Sequence, residues 1–235
     1  MHAENKTPNT PTPLYSEVEC DERGNFHYEG DLQQPDEDLK SLAGRVDRHL
    51  HAHFDGMRFS VTSERNGLGR TITAELLDAP DDLTGQDAQN DFTIRVRDQI
   101  ERFGFTRSNF SQDSHVSAFF CDVRIGRPYW TAQAKRRGTG GSVEPLVSLA
   151  AFRKQLKPGD EMKLVDAPHG HRSLGATRTV KAVRSKDIVF EGPIYLGLPR
   201  VAQFACDGKL VEFAIGNEHQ PDARLLYEWT PRKAA

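Results

Sequence analysis

The spacing of apolar residues in the first half of the chain predicts alternating helices and strands. Apolar residues recur every three or four positions over residues 39–54, the pattern of an amphipathic helix, and Asp36 or Asp38 can cap its start. Alternating apolar and polar residues on both sides of Asn66-Gly67 then predict a β-hairpin. A second helix and a third strand follow, with apolar positions at Phe92, Val96, Ile100 and Phe103 and at Phe119, Cys121, Val123 and Ile125. We predict an αββαβ domain over residues 35–126.

The second half of the chain has the pattern of a β-rich domain. A short helix is predicted over Pro145–Leu156, and brief apolar stretches then alternate with turns that contain Gly, Asp, Asn or Ser. Many short strands with such turns are typical of a small barrel or a strongly curved sheet. We therefore predict an α+β protein in which residues 143–235 form a small SH3-like β-barrel or curved-sheet domain. The predicted strands are Glu161–Val165, Thr177–Val183, Asp187–Glu191, Val201–Cys206, Leu210–Ile215 and Arg224–Trp229.

Two segments lack the periodicity of a helix or a strand. Residues 1–34 are acidic and begin with a stretch rich in Pro, Thr and Asn, so they are predicted to be a largely disordered leader. A short hairpin around Glu22–Asn25 is an option within this leader. Residues 127–142 are basic and end in glycines, which predicts an exposed linker between the two domains.

Three motifs within residues 49–126 resemble one known family. They are HAHFDGMRFSV, which has an aromatic residue and a glycine before an FSV run; ITAELLDAP, a strand followed by an aspartate and proline turn; and SNFSQDSHVSAFF, a polar loop before an aromatic strand. This part of the chain resembles the polyvalent-protein-associated domain LPD29 of plasmid, phage and conjugative-element proteins. The resemblance implies a mobile genetic element, a setting in which small cytoplasmic proteins often bind nucleic acid or block host defences.

The charge is distributed unevenly along the chain. The net charge is −3, but residues 1–38 hold ten acidic and two basic residues, whereas residues 131–235 hold eleven acidic and seventeen basic ones. A basic second half suits an anionic partner, although chance variation between segments explains a difference of this size equally well. The acidic leader could imitate nucleic acid through Glu17, Glu19, Asp21, Glu22, Asp31, Asp36, Glu37 and Asp38.

A group of basic and aromatic residues around the predicted linker is the main candidate for a binding surface. Cationic side chains beside exposed rings suit phosphate backbones and unpaired bases. If the second domain adds Arg172, Arg178, Lys181 and Arg184 to this group, a groove of one charge sign results between the domains. The alternative is a solvated linker with a tryptophan filling a domain edge. The predicted nucleic-acid or partner-binding residues are Arg124, Arg127, Tyr129, Trp130, Lys135, Arg136, Arg137, Arg172 and Arg178.

The sequence contains no recognisable catalytic or cofactor motif. His49 and His53 have the i, i+4 spacing of two metal ligands on one helix face, but the glutamate of an HExxH motif is missing. A solvent-facing helix end explains the histidines better, and a metal-dependent enzyme is kept only as a minor alternative. The three cysteines are far apart and form no CxxC motif, so neither a zinc ribbon nor a disulfide framework is expected. No cofactor and no metal are predicted.

We therefore expect a non-catalytic binding protein, and nucleic acid or a host nucleoprotein defence complex is the expected partner. The first hypothesis is a nucleic-acid-binding accessory protein of a mobile element. The second is an inhibitor of a host defence complex, of the anti-CRISPR or anti-restriction type, that docks on a protein surface. The sequence has neither a membrane-span pattern nor a signal-peptide pattern, which predicts a cytoplasmic protein without membrane contact. The sequence is also compatible with a homodimer, because a sheet of three strands in the first domain leaves an edge that another chain could cover.

Overall fold

The chain forms two compact units. The computed structural model describes residues 12–67, 69–138, 148–168, 171–198, 201, 203–216 and 223–232. The first unit comprises the described parts of Met1–Leu77 and Asp91–Ile125, and the second those of Asp78–Asn90 and Gly126–Ala235. Both units combine helices with sheets, so the predicted α+β class is confirmed. No helix in these ranges is long and apolar enough to cross a lipid bilayer.

The first unit contains two three-stranded sheets. One has the strand order β1 (Asn25–Glu29), β4 (Phe105–Asn109), β5 (Ser114–Ser117), with antiparallel pairing throughout. The other has the order β2 (Arg58–Asn66), β3 (Gly69–Asp78), β6 (Phe120–Ile125), and its strands β3 and β6 are parallel. The helices are α1 (Leu39–His53) and α2 (Gln86–Glu101), of which α2 belongs to this unit from Asp91 onwards.

Helix α1 begins where the sequence predicts it. The carboxylate of Asp38 accepts hydrogen bonds from the backbone N–H groups of Lys40 and Ser41 at 3.0 Å each, which satisfies two of the free donors at the helix start. Asp38 is therefore the cap of the two candidates. The side chains at the predicted apolar spacing form the buried face of the helix, namely Leu42, Ala43, Val46 and Leu50.

The αββαβ order and the disordered leader need correction. Two strands that the apolar pattern does not indicate, β4 and β5, lie between α2 and β6. The leader contributes β1, whose Tyr28 is only 2% exposed, so its described part from residue 12 is folded; residues 1–11 lie outside the described residues. The hairpin around Glu22–Asn25 is wrong, because β1 pairs with β4 about eighty positions along the chain rather than with its own neighbours. Local periodicity cannot reveal such a distant partner.

The second unit is built on one seven-stranded sheet. Its strand order is β10-β9-β8-β7-β13-β12-β11, and all six neighbouring pairs are antiparallel. The strands are β7 (Glu161–Asp166), β8 (Thr177–Val183), β9 (Asp187–Phe190), β10 (Tyr195–Gly197), β11 (Gln203–Asp207), β12 (Leu210–Ala214) and β13 (Arg224–Thr230). Strands β7 to β10 form one antiparallel meander, and β11 and β12 form a hairpin. Strand β13 joins these two groups by pairing with both β7 and β12. Two helices accompany the sheet, α3 (Arg127–Arg136) and α4 (Leu149–Gln155).

One face of this sheet carries the hydrophobic core of the unit. Side chains from all seven strands belong to a single buried cluster that includes Phe152 of α4, so we call this side the core face and the opposite side the outer face. The ring of Phe152 contacts Phe204, Phe213 and Trp229, with ring centroids 5.4–6.0 Å apart. The core therefore extends across the whole width of the sheet.

The barrel form of the prediction is not supported. Within the described residues the strand order runs from β10 to β11 without a pairing between these two ends, so the sheet is not closed. The predicted linker is also wrong, because residues 127–136 form the helix α3, which belongs to the second unit. Residues 139–142 of that linker lie outside the described residues.

Candidate nucleic-acid interface

Helix α3 contains most of the predicted binding residues, but it buries its aromatic face. Gly126 precedes the helix and Pro128 lies in its first turn, where the fixed backbone of proline is favourable. The buried face of the helix consists of Tyr129, Trp130, Gln133 and Ala134. The sequence predicted a linker for two reasons. The buried face includes the polar residue Gln133, and Pro128 comes directly before Tyr129, so the apolar spacing of a helix is hidden.

The rings of Tyr129 and Trp130 are not available for stacking on a base. Both side chains have an exposed fraction of 0%. The hydroxyl of Tyr129 donates to the carbonyl of Asp81 at 2.7 Å and accepts from the backbone N–H of Leu83 at 2.8 Å. Burial raises the pKa of Tyr129, against the opposing effect of the hydrogen bond from Leu83. The Tyr129 hydroxyl thus holds the segment around residue 82 in place, and the buried Trp130 fits the alternative of a tryptophan plug.

The two arginines at the end of α3 are neutralised by carboxylates of the same unit. Arg136 pairs with Asp78 at 2.9 Å. Arg137 pairs with Glu228 at 2.5 Å and with Asp82 at 2.6 Å. Burial alone would lower the pKa of Arg137, but the hydrogen bond and the charge of Glu228 raise it above its usual value. These guanidinium groups stabilise the fold and leave little free charge for phosphates.

The remaining predicted residues are dispersed. Arg127 lies 3.7 Å from Glu212 on the outer face of the sheet, and Lys135 is exposed. Arg124 belongs to the first unit, where it pairs with Asp122 at 2.5 Å. Arg178 lies on the core face of the sheet, since its cross-strand partner is the buried Met162, and it donates to the hydroxyl of Ser173 at 2.9 Å. Helix α3 packs on the other side, so the structure separates Arg178 from the α3 arginines.

The outer face of the sheet has a covered half and an open half. In the covered half, α3 places Arg127 beside Glu212 of β12 and Arg137 beside Glu228 of β13. In the open half, formed by β8, β9 and β10, the cross-strand partners Ala182, Val189 and Tyr195 form a row on the outer face. Tyr195 is 69% exposed, and Ala182 and Val189 are half-buried. We call these three side chains the apolar row.

Exposed cations lie on β8 and in the connections at its two ends. Lys181 is exposed at the irregular pairing between β8 and β9, Arg172 is exposed in the connection from β7 to β8, and Lys186 is exposed in the turn from β8 to β9. None of the ion pairs among the described residues uses these three side chains. Arg184 of the same turn is 66% exposed and lies 4.0 Å from Asp187. Of the nine predicted residues, Arg172 is exposed in the connection that leads into β8, next to Ser173, the partner of the core-face Arg178.

Sequence reasoning missed Tyr195 because it missed strand β10. The strand has only three residues, follows Pro193 closely and ends at Gly197, and both residue types are typical of a turn. The available signal was the apolar triplet Ile194, Tyr195 and Leu196, in which the two outer residues pack into the core and leave the tyrosine on the outer face. Lys186 carried no signal beyond its charge, whereas Lys181 was already grouped with the basic residues of the second domain.

The histidine pair of α1 lies in the first unit beside a small cleft. The rings of His49 and His53 are stacked with centroids 5.7 Å apart, and Nε2 of His49 is 2.9 Å from Oε1 of Gln99. Burial, and next the charge of His49, lowers the pKa of His53. No group of three or more His, Cys, Asp or Glu side chains that could hold a metal ion occurs in the described ranges. The cleft lined by His53 has a volume of about 110 Å³, well below the usual size of a small-molecule site.

A buried carboxylate is the strongest electrostatic feature of the first unit. Glu101, at the end of α2, is 7% exposed, and burial raises its pKa from 4.5 to about 7, against the favourable charge of Arg97. Its charge in turn raises the pKa values of Tyr28 and Cys121, both of which are raised mainly by burial. The hydroxyl of Tyr28 finds no hydrogen-bond partner in the described part of the chain. Glu101 and Tyr28 therefore lie inside the unit and not on its surface.

Comparison with known proteins gives no match among protein-family models, curated proteins or solved structures. The resemblance of residues 49–126 to the LPD29 domain therefore stays a prediction.

Proposed function

We propose that the protein binds nucleic acid through the open half of the outer face, as a non-catalytic accessory protein of a mobile genetic element that acts in the cytoplasm. The observation that carries this proposal is the apolar row with its exposed Tyr195, accompanied by exposed cations that have no ion-pair partner among the described residues. The expected partner and the setting are unchanged from the sequence-based prediction, but the surface is a different one.

The charge of this region supports an anionic partner. Residues 153–198 contain nine Lys and Arg and five Asp and Glu. Two of these acids are internal, because Asp160 accepts a hydrogen bond from the indole of Trp229 at 2.9 Å, and Asp166 pairs with Arg224 at 2.9 Å. The solvent-accessible part of this segment, on both sides of the sheet, is therefore more basic than its composition alone suggests. Strand β8 has seven residues and spans about 20 Å, so the cations at its two ends and its middle can follow several phosphates.

The acidic leader gives less support to a nucleic-acid-mimicking inhibitor. Five of its eight predicted acids make contacts that stabilise the first unit. Asp38 caps α1, Asp31 pairs with Arg102 at 2.7 Å, and Glu37 pairs with Arg45 at 2.8 Å. Asp21 accepts from the backbone of Arg23 and Asn25, and Glu17 accepts from that of Leu14. Mimicry of nucleic acid needs acidic side chains that project freely from the surface. The inhibitor hypothesis is therefore the alternative against which the binding experiment below is designed.

The proposal is tested by fluorescence anisotropy with labelled oligonucleotides at several KCl concentrations. The triple variant Arg172→Gln, Lys181→Gln, Lys186→Gln removes three exposed cations that lie on β8 and in the connections at its two ends. We expect weaker binding and a slope of log K against log salt that is smaller by about 2 to 3, since each lost phosphate contact lowers it by about 0.7 to 0.9.

A matched control loses the same charge elsewhere. The triple variant Lys40→Gln, Arg48→Gln, Arg65→Gln removes three exposed cations of the first unit, and its salt slope should equal that of the wild type. Equal effects of the two triple variants would show that net charge, and not this surface, drives binding. If the wild type binds no nucleic acid but is retained by a host defence complex after nuclease treatment, the inhibitor hypothesis replaces the proposal.

A further inference from the structure

We infer that the open half binds single-stranded nucleic acid, with an unpaired base stacked on the ring of Tyr195 and the chain crossing the apolar row. This inference rests on the proposed function and adds the class of the ligand. It follows from the shape and chemistry of the row itself, and the cations alone would not give it.

The apolar row is a surface on which a base can lie flat. Tyr195, Val189 and Ala182 are direct cross-strand neighbours, so the row crosses three strands and is about 10 Å long. Residues next to them in sequence point the other way, since Ile188 and Leu196 are buried in the core cluster. The row therefore has a fixed orientation. Tyr195 has no ring contact with another aromatic residue of the described chain, so its face is free to stack.

The cations border the row in a way that suits a phosphate backbone. Lys181 precedes Ala182 at the irregular pairing of β8 with β9, a type of distortion that redirects side chains. Lys186 lies in the next turn, one residue before β9 begins. A strand with a base on Tyr195 would thus pass its phosphates close to ammonium groups, which is the combination found in single-strand binding surfaces.

A duplex fits this surface less well. In a duplex the bases are stacked on each other and only their edges are accessible in the grooves, so an exposed ring on a sheet has no base face to contact. Reading of a groove needs a helix or ribbon that projects into it. The open half presents strands side by side, with a three-residue edge strand that carries the ring.

The test compares an oligothymidylate of about 16 nucleotides with a duplex of the same length in the anisotropy assay. For the wild type we expect tighter binding of the oligothymidylate. Tyr195→Ala should weaken that binding by about five-fold to a hundred-fold and leave duplex binding and the salt slope almost unchanged. Tyr195→Phe keeps the ring and should bind like the wild type.

Phe110→Ala is the matched control, because Phe110 is 72% exposed in the first unit, and its loss should not change binding. Thermal unfolding of each variant checks that Tyr195→Ala remains folded. If Tyr195→Ala binds the oligothymidylate as tightly as the wild type, or if the duplex binds as tightly as the single strand, the inference is wrong. In that case the proposed function still stands, provided that the triple variant Arg172→Gln, Lys181→Gln, Lys186→Gln loses affinity.

Discussion

Each unit contains a buried glutamate, but only the glutamate of the second unit has an arginine as its ion-pair partner among the described residues. In the second unit, Glu228 is 4% exposed and its carboxylate meets the guanidinium of Arg137 at 2.5 Å. In the first unit, Glu101 is 7% exposed and has no ion pair among the described residues, and its pKa is raised to about 7. A buried glutamate either keeps its charge by pairing with an arginine, as Glu228 does, or takes up a proton more readily, as Glu101 does. In the first case the arginine is no longer available to bind a partner. An arginine that compensates a buried acid belongs to the fold, as Arg137 does.

The largest change in the free energy of unfolding is expected when the arginine that pairs with buried Glu228 is replaced. Arg137→Met leaves Glu228 buried without its cation, so the free energy of unfolding should fall by about 3 to 5 kcal/mol. The double variant Arg137→Met, Glu228→Met should recover most of this loss, because it removes the buried charge as well. Urea unfolding measures both values. A loss below about 1 kcal/mol in the single variant would mean that Glu228 is not held as a buried ion.

A smaller effect, with a pH dependence, is expected at Glu101. Its pKa is near 4.5 in the unfolded chain and about 7 in the folded one, so the folded state holds the proton more tightly. Stability should therefore decrease as the pH rises from about 4.5 to about 7, by about 3 kcal/mol in total. Glu101→Gln should abolish this decrease and be more stable than the wild type at pH values above the folded pKa.

Unfolding in urea at a series of pH values measures the profile of Glu101→Gln. Glu64→Gln, at an exposed position of the same unit, serves as the control and should keep the wild-type profile. A Glu101→Gln profile parallel to that of the wild type would contradict the raised pKa.

The smallest effect is expected for a surface pair. Arg107 lies 3.8 Å from Glu29, and both side chains are more than half exposed. Solvent screens such a pair, so Arg107→Met should change the free energy of unfolding by no more than about 0.5 kcal/mol. This variant has the same chemistry as Arg137→Met, and the ratio of the two losses measures how strongly burial matters. Similar losses would remove the distinction between the two kinds of arginine.

Local patterns predicted a large part of the secondary structure. Helix α1 with its Asp38 cap and strand β8 have the bounds that periodicity and capping indicate, because their signals lie within the segment itself. The pairing of strand β1 was predicted wrongly, as one arm of a local hairpin, because its true partner β4 is remote in sequence. Helix α3 was missed because its inward face includes Gln133, whose amide is satisfied by the carbonyl of Asp81, a contact that no periodicity reveals.

The sequence predicted which residue types the candidate site would contain, but not where on the fold this candidate site would lie. Basic residues beside aromatic ones were expected, and the structure has two such regions. What distinguishes them is the direction of the side chains: Trp130 points into the unit, and Tyr195 points out of it. The direction of Tyr195 depends on the pairing of β10 with β9, and that of Trp130 on a sheet completed by strands almost a hundred residues away. A single sequence contains neither pairing.

The position of β13 has a consequence for the synthesis of the protein. The meander β7 to β10 and the hairpin β11 to β12 can each form as soon as their own strands have left the ribosome, since their pairings are local. The strand that unites them, β13, follows all of them in the chain and must close a loop of about sixty residues to reach β7. Until it arrives, the half-sheets expose two unpaired edges in the crowded cell, where they can meet the edges of other nascent chains.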